Sequence, residues 1–282
     1  MKNILITGIN SYIGNQFSEW INQWPDNYSV NKISVRNQNW KQLDFSKYDV
    51  VLHVAGIAHN SSDANLEELY YRVNRDLTTE IAEKAKNEGV PHFINMSSII
   101  VFGTKNNLIK PETIPNPDNF YGDSKLQAEK QLIQLVDQNF KIAHVRPPMV
   151  YGKDSKGNFP ILVKLASKTP VFPNYENKRS MIYVKNLSEF LRLVIDNTTT
   201  GYLHPQNSDF VKTSELVEYI SKARKHKVVQ IKFFNFGIKL IKNINLVNKV
   251  FGDLYYSKEM NDGGLNYQKY TLQESIIDIF DK

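Results

Sequence analysis

Tyr121 and Lys125, four residues apart in the run Tyr121-Gly-Asp-Ser-Lys125, put a phenol and an ammonium on one face of any helix that holds both. A nearby cation favours the phenolate and lowers a pKa that starts near ~10. That suits a tyrosine to giving and taking protons near neutral pH. Ser98 supplies a free hydroxyl upstream, and Thr7-Gly8 to Gly14 forms a glycine-bearing turn at the N-terminus. A dinucleotide pyrophosphate rests on such a turn, where unpaired N–H groups and the helix dipole favour anions. Joined to a dinucleotide site, the tyrosine–lysine chemistry is hydride transfer at a carbinol or ketone.

These groups need particular elements to hold them. Residues 3–7 read as a short buried strand closed by a glycine, and residues 13–24 as the helix after it, stopped near Pro25. Apolar runs at 30–35, 50–54, 93–96 and 142–145 predict further strands, with helices over 66–86 and 121–136. Strands alternating with helices argue for an α/β fold on a doubly wound parallel sheet. Unbroken apolar runs mark strands covered on both faces. From Tyr151 the pattern loosens into helices over 159–167, 186–196 and 214–225, with strands near 181–184 and 228–234. At 282 residues the chain lies near the ~250–300 residues at which one core gives way to several. A larger lobe over residues 1–152 and a smaller C-terminal α/β lobe over 153–282 are expected, with a segment near 179–193 returning to the first.

Composition narrows the chemistry. The chain has no cysteine, which excludes disulfides, thiolate catalysis and cysteine-ligated metals. Its six histidines show no HxxxH or HExxH spacing, so no metal site is expected. A net charge of +6 reads either as a lysine-rich surface or as a field drawing anionic, phosphorylated ligands into a cleft. No nucleic-acid motif accompanies the charge, so nucleic acid is not an expected partner. No run approaches ~18 apolar residues, so no integral membrane segment is expected. The apolar start Ile4-Leu5-Ile6 is too short for a signal sequence, and the expected location is the cytoplasm. Residues 231–251 interleave Lys232, Lys239, Lys242 and Lys249 with Phe, Leu and Ile. They read as a packed lid helix with snorkelling lysines, or as an interfacial helix serving a lipid-linked sugar.

Within the turn TGINSYIG (residues 7–14), Gly8 permits a tight bend and Gly14 close packing of helix on strand. Ser11 stands where a middle glycine is usual and offers a small hydroxyl to phosphate. Asp44-Phe45 precedes the strand at 50–54; a carboxylate there would accept from an adenine amino group or simply face water. His53-Val-Ala-Gly56 ends that strand with small residues, where a backbone must approach a cofactor.

Together, Thr7-Gly8…Gly14, Asp44-Phe45, His53-Val-Ala-Gly56, Val73-Asn74, Met96-Ser-Ser98, Tyr121-Gly-Asp-Ser-Lys125 and Arg146-Pro-Pro148…Tyr151-Gly152 resemble the extended short-chain dehydrogenase/reductases. Within these the chain is similar to the nucleotide-sugar epimerase/dehydratase/reductase branch, with the texture of capsular-polysaccharide members of Gram-positive bacteria. The resemblance implies a Rossmann lobe for NAD(P) and a substrate-binding lobe for a nucleotide sugar. It implies Tyr121 as catalytic acid and base, Lys125 as the group that tunes it and holds the nicotinamide ribose, and Ser98 as a hydrogen-bond partner of the reacting sugar oxygen. Coenzyme contacts are implied at Gly8, Ser11, Tyr12, Ile13, Gly14, Arg36, Asp44, Phe45, Ala55, Gly56, Asn74, Tyr121, Lys125 and Pro148. Substrate contacts are implied at His59, Ser98, Asn158 and Arg179, the last two in segments that resemble diphosphate-binding ones. A homodimer through a four-helix bundle that includes the Tyr121 helix is usual in the family.

Two departures narrow the reaction. The family's 4,6-dehydratases carry an Asp-Glu pair directly after the catalytic hydroxyl residue; here Ile99 and Ile100 stand there and cannot transfer protons. An NAD-specific site usually has an acid at the end of the second strand, whereas this chain has Ile33-Ser-Val-Arg36-Asn37. Arg36 reads as solvated surface or as a fork for a ribose 2′-phosphate. Only seven residues separate it from Asp44, too few for the usual helix. A shortened connection with arginine resembles the deoxysugar 4-keto reductases, which favour NADPH. The leading expectation is reduction, by NADP(H) in preference to NAD(H), of a UDP-linked 4-keto-6-deoxy(N-acetyl)hexose at C4 for surface polysaccharide. The alternatives are a UDP-hexose 4-epimerase and a dinucleotide-sensing regulator without turnover.

Overall fold

In the computed structural model, which describes residues 1–58, 63–241 and 245–281, strand β1 (Lys2–Thr7) turns into helix α1 (Tyr12–Ile21), followed by β2 (Tyr28–Ile33) and β3 (Val50–His53). Helices α2 (Glu67–Tyr70) and α3 (Leu77–Asn87) are joined by a π-turn over Tyr71–Asp76. Then come β4 (His92–Met96), β5 (Leu108–Ile109), α4 (Phe120–Ile133), β6 (Lys141–Val145) and β7 (Met149–Tyr151). The remainder is α5 (Phe159–Lys168), β8 (Val171–Pro173), β9 (Met181–Tyr183), α6 (Val184–Asn197), β10 (Gly201–Leu203), α7 (Thr213–Ala223), β11 (Val229–Ile231), α8 (Asn235–Ile241), α9 (Asn245–Phe251), β12 (Tyr255–Tyr256) and α10 (Leu272–Phe280).

Six strands form one parallel sheet in the order β10-β6-β4-β3-β1-β2. The winding reverses at β1, with β2 on one side and β3 on the other. At such a switch point a crevice opens outside the carboxyl ends of the strands. The link from β2 to β3 is a 3-10 turn (Gln38–Gln42) in place of an α-helix, as the short spacing requires.

Alternate residues of each strand feed different layers. Ile4, Ile6, Val50, Leu52, Ile94 and Val145 pack with Phe17 of α1 and Leu187, Phe190 and Val194 of α6. Leu5, Val51, Phe93 and Ile142 pack with Ile81 and Ala85 of α3 and Leu132 of α4. With both faces apolar the strands read as runs, and each large side chain so buried contributes about 1.5–3 kcal/mol. A third cluster joins Tyr151, Phe159, Leu162, Tyr183, Val217 and Ile276 from β7, α5, β9, α7 and α10.

Several elements differ from the sequence-based expectation. The helix expected over 66–86 is interrupted by the wider π-turn, which sets Tyr70, Asn74 and Thr78, spaced four apart, all inside. The segment returning to the sheet runs on through α6 and β10, which becomes an edge strand beside β6. Three residues are too few to show a period, and β10 went unpredicted for that reason. Among the described residues of 231–251, α8 and α9 are helical; Ile238 of α8 is buried, but Phe233, Phe236 and Leu240 are exposed. No helix among the described residues is long and apolar enough to cross a membrane.

Candidate active site

Three strand ends meet at the switch point. Gly8 has φ +95°, a conformation L side chains avoid, and its amide donates to the Ile33 carbonyl at 2.9 Å, as that of Ile9 does at 3.0 Å. A Cβ on Gly8 would stand 3.1 Å from the Ala55 Cα, so the turn after β1 touches the ends of both β2 and β3. Ser11 caps α1, its hydroxyl oxygen accepting from the Gly14 amide at 2.9 Å. The amides of Tyr12 and Ile13 lie in the first helical turn, before the intrahelical ladder begins, which makes this end receptive to an anion. Gly14 lies on Ile6 and Val54, and Pro148 is buried just past β6.

Helix α4 carries the tyrosine and the lysine. Asn119 caps it by accepting from the Gly122 amide at 3.0 Å. The Tyr121 phenol lies near enough to the Ser98 hydroxyl for that group to pull its pKa down; Ser98 follows β4 and caps a 3-10 turn over Ile99–Phe102. One turn further, the Lys125 ammonium donates to the Met96 carbonyl at 2.9 Å. A Cβ on Gly56 would lie 3.1 Å from the Lys125 Nζ and 3.0 Å from the Asn74 Oδ1. Asn74, set inward by the π-turn, clasps the loop after β3. It accepts from the Ile57 amide at 2.8 Å and donates to the Ile57 carbonyl at 2.9 Å and the Ser124 hydroxyl at 3.1 Å.

Burial raises the Tyr121 pKa above its ordinary value, and the nearby Ser98 hydroxyl pulls partly the other way. This corrects the expectation that Lys125 lowers it. The lysine is itself pushed down to about 8 by burial, with Glu129 holding it partly up, and it bonds Met96 instead of the phenol. Glu129, one more turn along α4, is fully buried and takes a bidentate pair from Arg146 at 3.0 and 2.6 Å. The sequence reading named Arg146 only inside a motif and passed over Glu129. The available signal was a carboxylate within the stripe Leu126, Ala128 and Leu132, which demands a counter-charge once buried. His53 bonds the Thr7 and Thr78 hydroxyls at 2.8 and 3.0 Å. Burial, then Lys125, pushes it down to about 3, so it is a neutral brace.

The other expected residues divide. Arg36 is exposed beyond the carboxyl end of β2. Asp44 is exposed, and its carboxylate is committed to the Ser46 hydroxyl and amide at 2.6 and 2.9 Å, which hold its pKa low. The Phe45 ring is buried between Trp40 and Tyr48, and its amide donates to Glu88 at 2.5 Å. Within the chain, this pair serves the core and its own turn. Tyr12 buries its phenol without a hydrogen-bond partner among the described residues, and burial followed by Asp154 raises its pKa. Asn158 sits at the start of α5 without a capping bond. Arg179 donates from Nη1 to the Gly252 and Asn248 carbonyls at 2.9 and 3.4 Å, while its buried Nε has no partner among the described residues. His59 lies outside the described residues. Ile99, Val101 and Phe102 pack with Leu126 and Tyr256, so the dehydratase positions hold no proton-transfer group.

Known proteins with similar sequences and folds can be set beside this geometry. The model of the NAD dependent epimerase/dehydratase family matches residues 4–204. The UDP-glucose 4-epimerase of Vibrio cholerae is 32% identical over 250 residues, which span 79% of this chain and 76% of that protein. The UDP-N-acetylglucosamine 4-epimerase from Bacillus cereus superposes with a TM-score of 0.78 at 16% identity, over 99% of this chain and 98% of that one. The dTDP-4-dehydrorhamnose reductase from Bacillus anthracis in complex with NADP does so with a TM-score of 0.73 at 20% identity, over 99% of both chains. At such identities the structural likeness speaks for the fold alone.

Proposed function

Because the chain belongs to the NAD dependent epimerase/dehydratase family, we propose that it is a nucleotide-sugar enzyme working at C4 of a UDP-linked hexose, inverting that carbon. The observation that carries this reading is the convergence of the Tyr121 phenol on the Ser98 hydroxyl, with Lys125 one turn along beside Gly56 and Asn74. The positive φ of Gly8, the α1 amides and the close approach of Gly56 to the lysine suit a nicotinamide dinucleotide. When bound, that coenzyme would take the C4 hydride and return it to the opposite face. Gly8, Ser11, Tyr12, Ile13 and Gly14 would hold its pyrophosphate, and Lys125 its ribose. Ser98 would orient the C4 oxygen. Tyr121 would take the proton from that oxygen on oxidation and return it on reduction. Arg179, with its buried Nε unpaired, would meet the substrate diphosphate.

The 4-epimerase relative supports inversion over one-way reduction. A second reading, NADPH-dependent 4-keto reduction, is favoured by Arg36 at the end of β2, where no acid stands. Denaturing the purified protein and assaying released dinucleotide, followed by a panel of UDP-hexoses with and without a 4-keto group, separates the two. Near-stoichiometric NAD and interconversion of C4 epimers are expected. Exchangeable NADPH and turnover of 4-keto sugars alone would move the assignment to the reductase. In either case Tyr121→Phe should lower kcat by about 10²–10⁴ while coenzyme still binds; undiminished turnover would defeat the mechanism.

A further inference from the structure

Residues 221–252 contain eight lysines and arginines and no acidic residue. The chain has 35 basic and 29 acidic residues, so the rest of it holds 27 basic against 29 acidic. All of the net positive charge is therefore concentrated in about a ninth of the polypeptide. The same stretch carries the most exposed large apolar side chains of the described C-terminal half: Phe233 at 86%, Phe236 at 74% and Leu240 at 68%. Their spacing of three and four sets them on one side of the helical turn that runs into α8. Ile238, on the opposite side, is 7% exposed and anchors the helix inward. Phe234, half-exposed, stacks edge-on against Phe233 with ring centroids 5.8 Å apart.

The face is held from beneath. β11 pairs with β8, and the Asn235 side chain donates to the Asn174 carbonyl at 2.9 Å. In the same run of chain Arg224, Lys225, Lys227 and Lys232 are all exposed. Outward apolar side chains in a stretch that is basic and free of acid match a surface that is apolar within and anionic at its boundary.

We propose that this face docks on an anionic lipid bilayer. Phe233, Phe236 and Leu240 enter the boundary between headgroups and acyl chains, and the lysines of the same stretch and Arg224 meet lipid phosphates. A nucleic acid would satisfy the charge but leave an aliphatic side chain and a helix face in water. This docking is independent of the chemistry assigned to Tyr121.

The test is co-sedimentation of the full chain with vesicles of phosphatidylcholine, alone or with one-third phosphatidylglycerol. Binding is expected only to the anionic vesicles, weakening on the order of tenfold when salt is raised well above physiological strength. The triple variant Phe233→Ser, Phe236→Ser, Leu240→Ser should lose about tenfold in partitioning while its thermal unfolding stays unchanged. The variant Lys225→Glu, Lys227→Glu, Lys232→Glu should lose as much and keep its apolar face. Four results would each overturn the proposal: binding to neither vesicle, equal binding of the wild type and the serine variant, preference for RNA over anionic vesicles, or a dimer that the serine substitutions dissociate.

Discussion

Replacing Gly122 by alanine should separate stability from turnover. A Cβ on Gly122 would meet the Ile100 carbonyl oxygen at 2.6 Å and the Pro117 Cβ at 2.9 Å. The first of these is backbone in the turn that Ser98 caps, and it cannot rotate aside. Ordinary contact begins at 3.4 Å, so α4 and that turn must part by nearly 0.8 Å. The same movement draws the Tyr121 phenol from the Ser98 hydroxyl, and a misplacement of about 1 Å at a reacting group costs on the order of 100-fold. Overpacking costs about 1–3 kcal/mol and alanine returns up to ~1 kcal/mol of helix propensity. The net loss of stability should lie between about 0 and 3 kcal/mol. Steady-state kinetics on the substrate the sugar panel identifies, beside urea denaturation, read both quantities. We expect kcat to fall about 100-fold, with coenzyme affinity near wild type because the Gly8 turn is untouched. A Gly122→Ala protein within threefold of wild-type kcat would refute the claim that this glycine seats α4 on the Ser98 turn.

Three further outcomes are expected. Glu129→Gln leaves the buried Arg146 without its counter-ion and should cost about 3–5 kcal/mol in chemical denaturation; a loss under about 1 kcal/mol would mean the pair is dispensable. Lys125 titrates near 8 in the folded chain and near ~10.4 when unfolded, so between those values the unfolded state binds more protons. The cost of burying its charge is full below pH 8 and is relieved as pH rises. Wild-type stability should therefore gain up to about 3 kcal/mol on Lys125→Met between pH 8 and 10, and a constant difference would contradict the assigned burial. On the second reading, NADPH-dependent reduction, Arg36→Gln should raise KM for NADPH about tenfold and leave NADH unaffected; equal effects on both would place the guanidinium away from the 2′-phosphate.

The sheet was legible because its strands are covered on both sides, so Ile4-Leu5-Ile6 and Val50-Val51-Leu52 appear as unbroken apolar runs. Tyr121 and Lys125 were legible because helical geometry alone aligns them. Other features depend on contacts remote in sequence. Glu129 and Arg146 are 17 residues apart, and nothing local joins them. The direction of the Tyr121 shift follows from how deeply the ring is buried, which spacing does not encode. Phe45 beside Asp44 read as a binding dipeptide, but its ring is an anchor among Trp40 and Tyr48. The residues of 231–251 have core-like types, yet only some find a core to enter.

That β10 closes the sheet bears on how the protein is made. Until residues 201–203 have left the ribosome, β6 offers an open edge to any passing strand. From the end of β6 to the end of β10 is 58 residues, roughly 3–12 s of synthesis. During that interval a nascent chain has reason to engage a chaperone. By the same logic, a chimera that exchanges substrate specificity must carry α6 and β10 with the first half, since a junction at Gly152 would sever the sheet from its own border.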